Sequence, residues 1–293
     1  MVNKNLLVIF NPVSGKNSGD LDLIQSTLDD ANKTYDLLKT KNEKSVEKYL
    51  KNHRDTYDVI LVAGGDGTIS QTIDAMIHYD IKASMCIYPK GSTNEFALAL
   101  GITKDSLHNL ANNTQEPLKI DIGAYNDNHS FIYSMTFGNF THITYKTPQQ
   151  LKNIFGHIAY WLYGIFTFYF LKIRTYDMKV TCDDEVYEGQ FVFGGISNSN
   201  SLGTVIQLPE VSFNDGEFEL MLIRKPKKHK DFRNLLLSLV MKQYDNELFI
   251  QTKGKDIRFE SKREYSWNKD GEFAGRLNSL HVCVRKDYLT LYR

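Results

Sequence analysis

The residues best suited to chemistry lie in three short glycine-bearing segments, each at the end of an apolar run. The clearest is Val59-Ile60-Leu61-Val62 feeding Ala63-Gly64-Gly65-Asp66-Gly67-Thr68. Three glycines around one aspartate let the backbone come close to a bulky anion, and a following helix points its free N–H groups and positive dipole end at that anion. An aspartate is out of place beside phosphate alone. It fits if Mg²⁺ bridges the carboxylate and the phosphate oxygens. The segment is neither GxxxxGK[ST] nor GxGxxG, since Ser70 stands where the latter needs its last glycine. It also reads as a tight strand-to-helix turn with Asp66 as a cap. Asn11-Pro12-Val13-Ser14-Gly15-Lys16 and Pro89-Lys90-Gly91-Ser92-Thr93-Asn94-Glu95 each offer small residues, hydroxyls and one lysine, which suits a phosphate cradle. Both also read as ordinary turns, and Ser92 with Glu95 fits a helix capping box.

The elements that must carry these loops follow from the apolar pattern. Leu6–Phe10, Tyr35–Leu38, Val59–Val62 and Met85–Tyr88 read as strands, alternating with helices around Leu21–Leu28, Glu43–Lys51, Thr68–Ile77 and Thr93–Leu100. Short apolar runs alternating with amphipathic helices imply parallel strands with crossovers, an open α/β sheet that binds ligands at the carboxyl ends of its strands. After Lys119 the rhythm changes. Ile120–Tyr125, His129–Phe137, Met178–Thr181, Glu188–Gly194, Phe218–Ile223, Leu248–Gln251, Asp256–Glu260 and Leu280–Val284 read as strands with mostly short connections and two longer helical interruptions. That is the pattern of an antiparallel sandwich or barrel built mainly from β-strands. The expected domains are 1–122 and 123–285, with 286–293 open to returning to the first.

A chain of 293 residues has room for roughly two domains. Its 35 basic and 35 acidic residues cancel, which argues against a nucleic-acid binder and against charge-driven disorder. Cys86, Cys182 and Cys283 lie far apart without metal-type spacing, and are expected to be reduced thiols of a cytoplasmic protein. The apolar stretch at Leu6–Phe10, soon broken by Pro12 and Gly15, is too short for a secretory signal.

Together, Asn11-Pro12-Val13-Ser14-Gly15, Gly64-Gly65-Asp66-Gly67-Thr68 and Lys90-Gly91-Ser92-Thr93-Asn94-Glu95-Phe96 resemble the diacylglycerol kinase catalytic family of lipid kinases, as does the later Asp270-Gly271-Glu272. The aspartate-glycine loop alone is shared with NAD kinases and phosphofructokinases; the combination is more specific. The resemblance implies a Rossmann-like α/β nucleotide domain, a C-terminal β-sandwich, and ATP with Mg²⁺ in a cleft between them. By matched position, Asn11 to Lys16, Thr40, Gly64 to Gln71, Ser92, Thr93 and Glu95 would line the nucleotide. Asp66 would organise Mg²⁺, with Asp121 and Asp270 as further carboxylates. Glu272 would take the proton from the lipid hydroxyl, a task for which a partly buried carboxylate is the better acceptor. Ser212, Asp215 and the carbonyl of Glu217 would hold a structural Mg²⁺. The turn readings of Asp270-Gly271 and of Asn214-Asp215-Gly216 stand beside these roles. The chain departs from the family at Ser70-Gln71, at Glu95 and at Leu98, where an arginine is common.

Two further stretches bear on how a lipid is reached. Asn153–Leu171 carries no formal charge and many aromatic rings. Its tyrosines, tryptophan and His157 are unsuited to a hydrocarbon core, so it reads as a helix packed on the sandwich, serving an acyl-chain groove, the bilayer surface or simply the core. Arg224–Arg233 holds six Lys or Arg in ten residues, a docking patch for an anionic membrane or a solvated loop. The expected protein is therefore a cytoplasmic, peripherally membrane-bound kinase for diacylglycerol, with a homodimer as a family-based expectation. The other readings are a kinase for a sphingoid base or monoacylglycerol, an NAD-kinase-type enzyme, or a sensor without catalysis.

Overall fold

The computed structural model describes residues 5–15, 19–92, 94–126, 129–138, 173–202, 206–208 and 211–292. The aromatic stretch Asn153–Leu171 lies outside the described residues, as do Lys16 and Thr93. The chain forms two compact units. The first comprises Met1–Tyr133, Ser212–Gly216 and Val284–Arg293; the second comprises Ser134–Val211 and Glu217–Cys283.

The first unit runs β1 (Leu6–Phe10), α1 (Asp20–Asp30), β2 (Tyr35–Lys39), α2 (Lys44–Asn52), β3 (Val59–Gly64), α3 (Asp66–His78), β4 (Ser84–Pro89), α4 (Glu95–Ala99), α5 (Ser106–Asn112), β5 (Leu118–Tyr125) and β6 (His129–Phe131). Its parallel strands are ordered β4-β3-β1-β2. β1 and β3 are buried along their whole length, as central parallel strands covered on both faces must be. Side chains alternate between those faces. Leu7, Ile9, Ile60 and Val62 pack with Val46, Leu50, Ile69 and Ile73, whereas Val8, Phe10, Leu61 and Ala63 pack with Ile24, Leu28, Leu107 and Leu110.

Asp20, at the start of α1, is nearly fully buried and accepts hydrogen bonds from Tyr88 Oη and Lys104 Nζ, both at 2.9 Å. Burial pushes its carboxyl up, but the bonds from Lys104 and Tyr88 outweigh this and hold it below its ordinary 3.8. A depressed folded-state value stabilises the protein above the unfolded value, and that stability is lost as pH falls through the folded one. Asp20→Asn should therefore cost about 1–3 kcal/mol at neutral pH. Denaturant titrations should show the gap to the parent protein closing as the pH drops below 3.8.

The second unit contains β7 (Ser134–Gly138), β8 (Tyr176–Cys182), β9 (Glu185–Ser197), β10 (Ser201–Leu202), β11 (Ile206–Gln207), β12 (Phe218–Arg224), α6 (His229–Met241), β13 (Phe249–Gly254), β14 (Asp256–Lys269) and the first part of β15 (Glu272–Tyr292). Among the described residues its pairing is antiparallel, in the order β13-β12-β9-β7-β14-β15. β8 also pairs with both β9 and β14. The register of β14 against β15 shifts between Glu260 and Tyr265, as at a β-bulge. Phe137, Phe259 and Trp267 fill the interior, with both phenyl rings 5.0 Å from the indole. The run expected as one strand over His129–Phe137 is broken at Ile132-Tyr133: β6 pairs with β5, whereas β7 pairs with β9 and β14.

Candidate active site

The three glycine loops meet within the first unit, because parallel neighbours β1, β3 and β4 end on the same side. A Cβ on Gly91 would stand 2.7 Å from Gly65 Cα, and one on Gly65 would stand 3.1 Å from Ser14 Oγ and 3.2 Å from Gly91 Cα. Only bare backbone allows this approach. Gly15 lies at φ +71°, and a side chain there would also meet the Lys90 carbonyl oxygen at 2.3 Å. Asn11 knits the first loop to the second: its Nδ2 donates to Thr68 Oγ1 (2.9 Å), and its Oδ1 accepts from Val13 N (3.1 Å). Thr40 joins the same edge, its N–H donating to the Phe10 carbonyl. Pro12, Val13 and Ser92 are exposed there, and Gln71 lies one turn into α3.

Lys90 has a role that its spacing does not reveal. It is buried, its ammonium lies 4.8 Å from the centre of the Phe10 ring, and it donates to the carbonyls of Asn11 and Ser14. It fastens the first loop to the third. Asn94 is a second residue missed from sequence. Its Oδ1 accepts from Gly91 N (2.7 Å) and its Nδ2 donates to the Gly91 carbonyl (2.9 Å). Asn94, not Ser92, is the N-cap of α4, so Ser92 and Glu95 do not stand at the N-cap and third helical positions that a capping box needs. Glu95 opens α4, and its side chain lies outside the described residues. Leu98, in place of the family's common arginine, is exposed.

Gly65 caps α3 and Asp66 is its first residue. The Asp66 carboxylate accepts from Phe96 N at 3.1 Å, so it caps the start of α4 rather than its own helix. Its second oxygen takes no hydrogen bond among the described residues. The amides of Asp66 and Gly67 likewise find no acceptor among them, leaving donors in the first turn of a 13-residue helix for an anionic ligand.

Asp121, fully buried on β5, shapes the turn at Ser212–Gly216. Its N–H donates to the Phe213 carbonyl, while its two oxygens accept from Gly216 N and Asp287 N, all at 2.7 Å. Gly216 adopts φ +84°. Ser212 Oγ donates to Asn214 Oδ1 (3.3 Å), and Asp215 is exposed. Glu217 follows at the start of the second unit, where it pairs with Lys255 (3.9 Å).

In the second unit Asp270 and Gly271, both at positive φ, form the two-residue turn between β14 and β15. The turn reading of this segment is right, and the turn is also anchored. Asp270 exchanges two hydrogen bonds with Ser134, its N–H donating to the Ser134 carbonyl and its Oδ1 accepting from Ser134 N. Glu272 directly follows, paired with Lys269 across the hairpin. It is exposed rather than partly buried.

A family profile described as the diacylglycerol kinase catalytic domain matches residues 5–125. The chain is 30% identical over 242 residues to a diacylglycerol kinase of Bacillus subtilis (strain 168), spanning 81% of this chain and 76% of that one. It is 28% identical over 299 residues to a diacylglycerol kinase of Staphylococcus haemolyticus, spanning 96% and 88%. The crystal structure of a diacylglycerol kinase from Bacillus anthracis str. Sterne has the same fold, with TM-score 0.72 at 21% identity over 99% of this chain and 96% of that one. With its glycine loops meeting at one sheet edge and its relatives matching over most of their length, the chain belongs to the diacylglycerol kinase family.

Proposed function

We infer that this chain is an ATP-dependent lipid kinase that transfers the γ-phosphoryl group to the hydroxyl of diacylglycerol, giving phosphatidic acid. The observation that carries this reading is the convergence of Gly65, Gly91 and Ser14 beside the α3 N-terminus in a chain of this family. The bare backbone there suits polyphosphate, and the amides of Asp66 and Gly67, without an acceptor among the described residues, suit its charge. Asp66, with one carboxylate oxygen taking no hydrogen bond among the described residues, fits a Mg²⁺ that would neutralise phosphate charge when bound. Ser212, Asp215 and the Glu217 carbonyl are oxygen donors on a turn held by Asp121, which suits a structural Mg²⁺. Asn11 to Gly15, Thr40 and Ser92 position the nucleotide, and Glu272 accepts the proton of the lipid hydroxyl. The test is incubation with labelled ATP and mixed micelles of diacylglycerol, monoacylglycerol or sphingoid base, with NAD as a soluble acceptor. Preferential labelling of diacylglycerol supports the reading; labelling of another acceptor, or of none, overturns it.

Peripheral docking on an anionic membrane through Arg224–Arg233 is part of the same proposal. Lys225, Lys227, Lys228, Lys230 and Arg233 are exposed. The helix that follows also exposes Leu237, Val240 and Met241, which share a face with Arg233 at helical spacing. Among the described residues no helix is long and apolar enough to cross a membrane. Each lysine near an anionic surface contributes about 1 kcal/mol. Changing Lys225, Lys227, Lys228 and Lys230 to Gln should therefore weaken association with phosphatidylserine-containing vesicles in low salt by at least roughly tenfold. Unchanged cosedimentation contradicts the docking surface.

A further inference from the structure

Outside the catalytic residues, three side chains of different chemistry converge on the second unit. Asp256 opens β14, and His281 and Cys283 lie on β15. In the antiparallel register Asp256 pairs directly with Cys283, and His281 is two residues away on the same strand face. His281 Nε2 lies 2.8 Å from Asp256 Oδ2 and 3.3 Å from Cys283 Sγ, and the sulfur lies 3.8 Å from the same carboxylate oxygen. All three residues are partly exposed.

A nucleophilic relay would use the two imidazole nitrogens for two different partners. Here the carboxylate and the sulfur both face Nε2. Three donor atoms therefore converge on one point, as around a metal. Zn²⁺ bonded at about 2.0–2.3 Å to nitrogen, oxygen and sulfur sets tetrahedral ligand atoms about 3.3–3.7 Å apart. The observed separations bracket that range. We propose that Asp256, His281 and Cys283 form a zinc site, with water in the fourth position.

The chemistry of the donors supports zinc over magnesium, because thiolate and imidazole are soft or borderline ligands and Mg²⁺ prefers oxygen. Thiolate and carboxylate together neutralise the two positive charges, with the thiol proton released to solvent. Arg258 supplies the outer contact: its Nε donates to Asp256 Oδ1 at 3.0 Å and its Nη2 more distantly to Oδ2 at 3.4 Å, a two-point grip that fixes the carboxylate plane beside the imidazole and thiol. The bound ion would staple the start of β14 to β15. Sequence spacing hides the site, because Asp256 is 25 residues from His281 and only strand pairing joins them.

The other two cysteines make the test clean. Cys86 and Cys182 are buried, and burial pushes each thiol up to about 12, so among the three cysteines Cys283 offers the accessible thiol. Full-length protein is freed of transition metals, supplied with excess Mg²⁺ and titrated with Co²⁺ and then Zn²⁺. The expected result is one equivalent of Co²⁺ with a near-ultraviolet thiolate-to-cobalt band, displaced by Zn²⁺. Cys283→Ser should abolish that band, and His281→Gln and Asp256→Asn should each weaken Zn²⁺ binding by at least roughly tenfold. Zn²⁺ should also slow alkylation of Cys283 in the unsubstituted protein, a readout that does not depend on any variant folding. Absence of the band, its persistence in Cys283→Ser, or alkylation indifferent to Zn²⁺ overturns the site.

Discussion

Glu272→Ala is expected to lower turnover by roughly 10²–10⁴-fold, the usual contribution of a positioned general base, while ATP affinity stays within a few-fold of the parent. The carboxylate follows the Asp270-Gly271 turn, and that turn is fixed without it. Asp270 holds Ser134 through both its backbone and its side chain, and Lys269 pairs with residue 272 through the strand ladder. An exposed side chain can be truncated there at little cost in stability, so lost turnover would report chemistry and not unfolding. Steady-state kinetics beside equilibrium ATP binding separates the two effects, and near-normal turnover removes Glu272 from the role of base.

Asp66→Asn is the sharper probe of the glycine loops. The carboxamide oxygen can still accept the hydrogen bond from Phe96 N, so the start of α4 keeps its cap and the fold its stability. What disappears is the negative charge that would attract Mg²⁺. Turnover should fall by at least roughly 100-fold, as expected when electrostatic neutralisation of the transferring phosphoryl group is lost. Thermal unfolding should be almost unchanged. Full activity in this variant would reduce Asp66 to a helix cap.

The loops could be read in the sequence because they follow strands of a particular kind. Leu6–Phe10 and Val59–Gly64 are apolar throughout, since both their faces are covered, and such runs declare themselves without structural knowledge. The antiparallel strands were harder to bound. β14 reaches Lys269 and β15 starts at Glu272, well beyond the apolar cores at Asp256–Glu260 and Leu280–Val284. Residues such as Lys262, Arg263 and Glu264 are exposed and hide a strand among polar side chains. Contacts between distant residues were also illegible. Nothing in the spacing of Lys90 shows that its ammonium is spent on the carbonyls of Asn11 and Ser14. Nor does it show that Asp121 grips the backbone of a turn about ninety residues downstream. Ser92 matched a capping pattern whose geometry Asn94 had already taken at φ 50°.

The most direct measurement follows the phosphorus itself. Purified protein is incubated with diacylglycerol vesicles and ATP labelled at either the α or the γ position, and ADP and labelled lipid are counted together. The inferred kinase predicts phosphatidic acid labelled only from the γ position, formed one for one with ADP and dependent on added Mg²⁺. ADP without labelled lipid, or label entering the lipid from the α position, contradicts it.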